Sequence, residues 1–227
     1  SLDLRENKTY LLGNRFAFVP GTDNGKTKLS VVRFSQEWVD RGRNRVLAAR
    51  SMFSTGIDAF DATVNGEDRD GKFVSWLGQF QWANRLGNSN AQFIFRASGQ
   101  LANHGLPPME QFTVGGVDTV RGYRENRLIS DEGFVTSAEV RIPVYSNPGN
   151  NTTIQIAPFL DFASVNNRSG LDPQKDHIGS AGVGILGTLF KRFDFSLYYG
   201  HAFQNFDNPD NDIQDDGFSF SLSARLL

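Results

Sequence analysis

The feature that most constrains this chain is strict two-residue alternation, cleanest near its C-terminal end. Phe218, Phe220, Leu222, Ala224 and Leu226 fall on one face of an extended segment, with Ser219, Ser221, Ser223 and Arg225 on the other. Successive side chains of a strand point to opposite faces, so the pattern dictates a strand with one apolar and one polar side. It recurs upstream. Phe193, Phe195, Leu197, Tyr199 and Phe203 oppose Asp194, Ser196 and Tyr198, while Ile154, Ile156, Pro158, Leu160 and Phe162 oppose Thr153, Gln155 and Asp161. Between Phe134 and Tyr145, Phe134, Ala138, Val140, Ile142 and Val144 oppose Ser137, Glu139 and Arg141. Phe93, Phe95, Ala97 and Leu101 oppose Gln92, Arg96, Ser98 and Gln100, and Val74, Trp76, Phe80 and Trp82 oppose Ser75, Gln79, Gln81 and Arg85. Stretches 8–19, 26–40 and 43–57 are also strand-like, with Arg33 and Arg50 blurring the faces, and 177–190 is Gly-rich and weakly apolar. The count is about ten strands, of the roughly 9–11 residues that a tilted membrane strand needs.

The connections alternate in length. Arg41-Gly42-Arg43-Asn44, Leu86-Gly87-Asn88, Ser146-Asn147-Pro148-Gly149 and Lys191-Arg192 are short, whereas 58–71, about 103–132, 166–176 and 204–216 are long and polar. Short periplasmic turns and long extracellular loops produce this rhythm in outer-membrane barrels. The mean hydropathy of −0.38 does not oppose that reading, because only alternate residues of such strands meet lipid. No run reaches the roughly 18 apolar residues of a membrane helix. The 20 Phe are the further argument. Turned inward, the bulky apolar faces of ten strands would overfill a small soluble barrel. The fold expected is therefore all-β, a transmembrane antiparallel up-and-down barrel. The start, Ser1-Leu2-Asp3, has neither an initiator Met nor an apolar signal region, so the chain reads as a mature or trimmed product.

The longest loop carries Phe112-Thr113-Val114-Gly115-Gly116-Val117-Asp118-Thr119-Val120-Arg121-Gly122-Tyr123. Its Val-Arg-Gly-Tyr core resembles the signature loop of the outer-membrane polypeptide-translocation and barrel-assembly superfamily. Gln111 through Arg127, with Gly133 through Pro143, is most similar to the two-partner secretion transporters of the hemolysin-activator type. The likeness extends to Phe34-Ser35-Gln36-Glu37-Trp38 and Arg45-Val46-Leu47-Ala48-Ala49-Arg50. A second signature, Phe-x-Asp-x-Gly, is matched by Phe159-Leu160-Asp161-Phe162-Ala163, where Ala163 replaces the usual glycine. The resemblance implies a sixteen-stranded barrel whose loop folds back into the lumen, with its arginine against an acidic residue of the inner wall. Alternation puts Asp161 and Glu139 on the polar face, so both readings bring Arg121 toward Asp161. The lumen-loop residues expected to matter are Gly115, Gly116, Val120, Arg121, Gly122 and Tyr123, with Asp161, Glu139 and Phe159 as inner-wall partners. A guanidinium fork on a carboxylate is orientation-specific in a way that lysine is not.

The function implied is a pore that passes an unfolded secreted polypeptide outward without ATP. Alternatives are a factor that inserts other barrels into the membrane, or a passive or structural barrel. Residues 1–227 read as one barrel domain, with the signature loop at about 103–132 and no periplasmic polypeptide-binding modules. About eight strands make a barrel filled by its own side chains and sixteen leave a channel. Ten strands are therefore expected to be the C-terminal part of a sixteen-stranded barrel, a reduced or oligomeric barrel being the other solution. The expected partners are the secreted polypeptide and outer-membrane lipid. A net charge of −2 gives no basic face for nucleic acid. No cofactor is expected: cysteine is absent, and His104, His177 and His201 have no metal-ligand spacing. The acidic run Asp207 to Asp212 with Asp215 and Asp216 lacks the glycine and closing glutamate of a calcium loop. No serine–histidine constellation is legible, so the chain does not read as an enzyme.

Overall fold

The computed structural model describes residues 1–17, 22–66, 68–87, 89–168, 175–204, 206 and 215–225. Ten strands form one antiparallel sheet: β1 (Leu2–Lys8), β2 (Lys26–Arg41), β3 (Arg45–Gly56), β4 (Val74–Arg85), β5 (Gln92–Ala102), β6 (Glu132–Asn147), β7 (Thr152–Asn166), β8 (Lys175–Leu189), β9 (Phe193–Ala202) and β10 (Phe218–Ala224). Each strand pairs with its neighbours in chain order, the up-and-down arrangement that alternation and hairpin spacing predict. Among the described residues β1 and β10 are not paired with each other, so the sheet is open. No described helix is long and apolar enough to cross a membrane. One expectation fails: of the stretch 8–19, residues 9–17 are not a strand of the sheet. Leu12 and Gly13 both adopt left-handed φ, 52° and 83°, and fold Tyr10–Leu11 onto Asn14–Arg15 as a separate small ribbon, while Leu2–Lys8 takes the place in the sheet.

Register keeps the two faces distinct. Ser137 pairs with Asp161 and Asp161 with Ser180, so these three point to the same side. The opposite face carries Leu160, Phe162, Phe134, Leu197, Tyr199, Phe218 and Phe220, all exposed. Cross-strand rings meet there, Trp82 with Phe93 at 5.5 Å and Tyr199 with Phe218 at 4.9 Å. A continuous apolar exterior of this size is foreign to a water-soluble surface and suits lipid. On the polar face, Arg33 and Arg50 reach Glu110 and Glu37, so the two arginines that blurred the alternation lie on the inner side of β2 and β3. The β6–β7 register slips between Pro143 and Tyr145, a bulge that follows the residue without an N–H to give to the ladder.

Candidate functional site

Residues 103–131 join β5 to β6 and lie against the polar face. A 3-10 turn, Pro108–Glu110, begins the loop. Phe112–Val114 then pairs with Leu128–Ser130 as a short stem, and the signature residues form its tip. Burial holds the loop down: Phe112, Val114, Val120 and Tyr123 share one apolar cluster with Val135, Ala163, Val165 and Ile178 of β6–β8. Ala163 is fully buried in that cluster, its methyl packed where the resembled motif has glycine. Two outer grips secure the base, where the Asp131 carboxylate accepts from the Leu106 amide at 2.9 Å and from Gln111 Nε2 at 3.0 Å.

At the tip, Gly115, Gly116 and Gly122 have φ of 110°, 99° and 91°, which only glycine adopts freely. Gly115 and Gly116 shape the turn and do not touch the acidic wall. The Gly115 amide donates to Thr119 Oγ1 at 2.8 Å, and a Cβ at Gly116 would fall 2.1 Å from the Glu125 carboxyl. Gly122 serves close approach: a Cβ there would come within 2.7 Å of the Gly200 carbonyl on β9. Tyr123 is anchored through its hydroxyl, which lies 2.9 Å from the Gly179 carbonyl and 2.8 Å from Gln204 Oε1, and which accepts from the Gln204 amide at 3.0 Å.

Arg121 is 4% exposed and joins the loop to two wall carboxylates. Its Nε and Nη2 donate to Asp161 Oδ2 and Oδ1, both at 2.8 Å, and its backbone amide donates to Oδ2 at 3.0 Å. Nη1 donates to Glu139 Oε2, and Nη2 also reaches Ser137 Oγ at 3.0 Å. Arg141 holds the second oxygen of Glu139 at 2.7 Å. Two guanidiniums thus meet two carboxylates, and the buried cluster is neutral as a whole, the condition under which charges tolerate burial. Burial alone would lower the pKa of this loop arginine. The hydrogen bonds and charge of Asp161, and then of Glu139, outweigh that and hold it above its ordinary value, so it stays charged.

Aromatic rings complete the seat. The Phe159 ring lies under the guanidinium at 3.6 Å, and the Tyr198 ring stands at 4.9 Å with its hydroxyl 3.2 Å from Glu139 Oε2. Both rings press close against β8 because Gly182 and Gly184 face them: a Cβ at Gly182 would be 2.6 Å from Phe159, and one at Gly184 2.3 Å from Tyr198. The structure therefore brings Arg121, Asp161, Glu139 and Phe159 together. It adds Ser137, Tyr198 and Gly200, which reading the chain did not single out. Tyr198 had a signal, an aromatic on the polar face, and Gly200 had another, a glycine inside a strand. His104, His177 and His201 sit apart, and among the described residues no group of acidic or histidine side chains could hold a metal. The acidic run 207–212 lies outside the described residues.

Comparison with known proteins bears on the family and the fold. Residues 1–187 match the profile of the family described as haemolysin secretion/activation protein ShlB/FhaC/HecB. No curated protein sequence matches. Among solved structures, CdiB from Escherichia coli superimposes with a TM-score of 0.75 at 16% identity, covering 93% of this chain and 39% of its own. CdiB from Acinetobacter baumannii gives 0.66 at 19%, covering 88% and 34%. At such identities the likeness carries the fold alone, and the chain spans less than two fifths of the length of either. The profile covers most of the chain, and with it the loop and both acidic strands: the chain belongs to the haemolysin secretion/activation proteins of the ShlB/FhaC/HecB type, the outer-membrane β-barrel transporters of two-partner secretion.

Proposed function

We propose that this chain lines part of a pore through which an unfolded secreted polypeptide crosses the outer membrane, and that loop 103–131 is the movable occupant of that pore. The ten strands would supply part of a larger barrel, sixteen strands being the size that leaves room for both a folded-in loop and a passing chain. The observation that carries the reading is Arg121, a charged loop residue buried against Asp161 and Glu139 of the inner wall. A loop meant only to close a barrel could be fixed with apolar packing. This one is fixed in addition by a charge cluster whose members are soluble when parted, so release exposes groups that water can accept. Beside the loop, an open cavity of about 400 Å³ is lined by polar Glu37, Arg50 and Arg96 together with apolar Trp38, Phe80 and Phe112.

The test is export of a cognate polypeptide by a secretion-competent parent carrying Arg121→Ala. Strongly reduced export with normal membrane insertion is the expected result. Export equal to that of the unaltered protein would remove the loop from the mechanism. Planar-bilayer conductance separates the passive-pore alternative: a passive barrel gives steady current indifferent to the polypeptide partner, whereas a plugged transporter fluctuates and opens further when Arg121 is removed.

A further inference from the structure

We infer that the loop is held by a second latch, Glu110 against Arg33, which makes these two further positioning residues for the lumen loop. Glu110 ends the 3-10 turn, eleven positions before Arg121, and its side chain is 5% exposed. Its carboxylate accepts from Arg33 Nη2 at 2.6 and 2.8 Å and from Arg5 Nη1 at 3.3 Å. Arg33 donates in turn to Asp3 at 2.7 Å and to Ser54 Oγ at 2.6 Å. This is again two guanidiniums and two carboxylates, but with the signs exchanged. At the tip the loop supplies the cation and the wall the anions, whereas here the loop supplies the anion and β1 and β2 supply the cations.

The two clusters share no residue and grip different stretches of wall, β1–β3 in one case and β6–β9 in the other. Groups without shared partners respond independently to substitution. Each end of the loop can therefore be freed while the other stays seated. Opening at Glu110 would widen the passage beside β2–β5 without withdrawing Arg121, a consequence that rests on the translocation reading.

The chain has no cysteine, so single nitroxide labels can be placed at will. Exposed Pro108 and Asp118, each replaced by Cys in the whole chain folded in detergent micelles, report on the two ends. Glu110→Gln should speed label motion several-fold at 108 and leave 118 unchanged, and Arg121→Gln should do the reverse. Arg33→Gln, which leaves the loop's own residues intact, should reproduce the Glu110→Gln signature while circular dichroism keeps the strand spectrum. Two labels that loosen together, or a label at 108 that ignores both Glu110→Gln and Arg33→Gln, would overturn the second latch. Normal export from a parent with both latches broken would instead sink the loop's role in translocation while leaving the two latches standing.

Discussion

Replacing Asp161 by Asn preserves the shape of the wall at the Arg121 seat and removes one charge. Asp161 accepts three hydrogen bonds from Arg121, two at Oδ2 and one at Oδ1. An amide can keep the two at Oδ2 by placing its oxygen there, and its NH2 then faces the Nη2 donor. The two retained bonds pass from charge-assisted to neutral acceptors, a loss of about 1 kcal/mol each, and the third is replaced by a donor–donor opposition worth about 1–3 kcal/mol. Glu139 and Ser137 still hold the guanidinium, so the total should fall at the lower edge of the roughly 3–5 kcal/mol usual for a broken buried pair. About 3 kcal/mol shifts the balance between seated and released loop roughly a hundredfold. Amide hydrogen exchange reads that balance directly, because loop amides exchange through local opening. Peptides covering 112–127 should exchange about a hundred times faster in Asp161→Asn, with β6 and β7 unchanged. Equal acceleration of loop and strands would mean that Asp161 supports the sheet and not the loop, and no acceleration would mean that the apolar cluster alone seats it.

Gly122→Ala forces a Cβ to within 2.7 Å of the Gly200 carbonyl at a left-handed φ of 91°, and should release the tip by about 1–3 kcal/mol, seen as faster exchange at 119–124 with the base of the loop still protected. Tyr123→Phe removes the hydroxyl that Gln204 and Gly179 share, at a cost of about 1–3 kcal/mol. Its effect should stay confined to exchange at 121–124 and 203–204. Leu160→Arg tests the exterior: this residue is 55% exposed on the apolar face. Urea unfolding from lipid vesicles should show destabilisation of about 2–4 kcal/mol if it meets the bilayer midplane, falling toward 1 near an interface. A loss within about 0.5 kcal/mol would mean that this residue does not meet the bilayer midplane.

Much of the architecture was legible because a strand's two-residue period needs only local information. Parity alone assigned Phe193, Leu197 and Tyr199 outward and Asp194, Ser196 and Tyr198 inward, and the register of β9 against β8 and β10 keeps that division. At 8–19 the same rule misled, since Leu12-Gly13 turns the chain within a stretch whose composition still looks extended. Arg121 was legible through its motif, and Asp161 through motif and parity together. Glu110 was not, although it immediately precedes the run that carried the resemblance. Its partner Arg33 lies 77 positions earlier, and no spacing rule joins an acid in a loop to an arginine on a strand four strands away. The Gly-rich 177–190 stretch looked merely weak as a strand. Its glycines at 182 and 184 acquire meaning only beside Phe159 and Tyr198, side chains contributed by the strands on either side.

The two neutral clusters have an electrical consequence once the loop departs. Within the first cluster itself, the wall would keep Glu139, Asp161 and Arg141, one negative charge in excess. Near β1 and β2 it would keep Arg5 and Arg33 with only Asp3, a surplus of one positive charge. The two vacated seats would therefore carry opposite local charge, one attractive to a cationic side chain and the other to an anionic one. An extended polypeptide carries both kinds. Under the translocation proposal, its basic and acidic residues would occupy the places that Arg121 and Glu110 leave, so plug and passenger would compete for the same two charges.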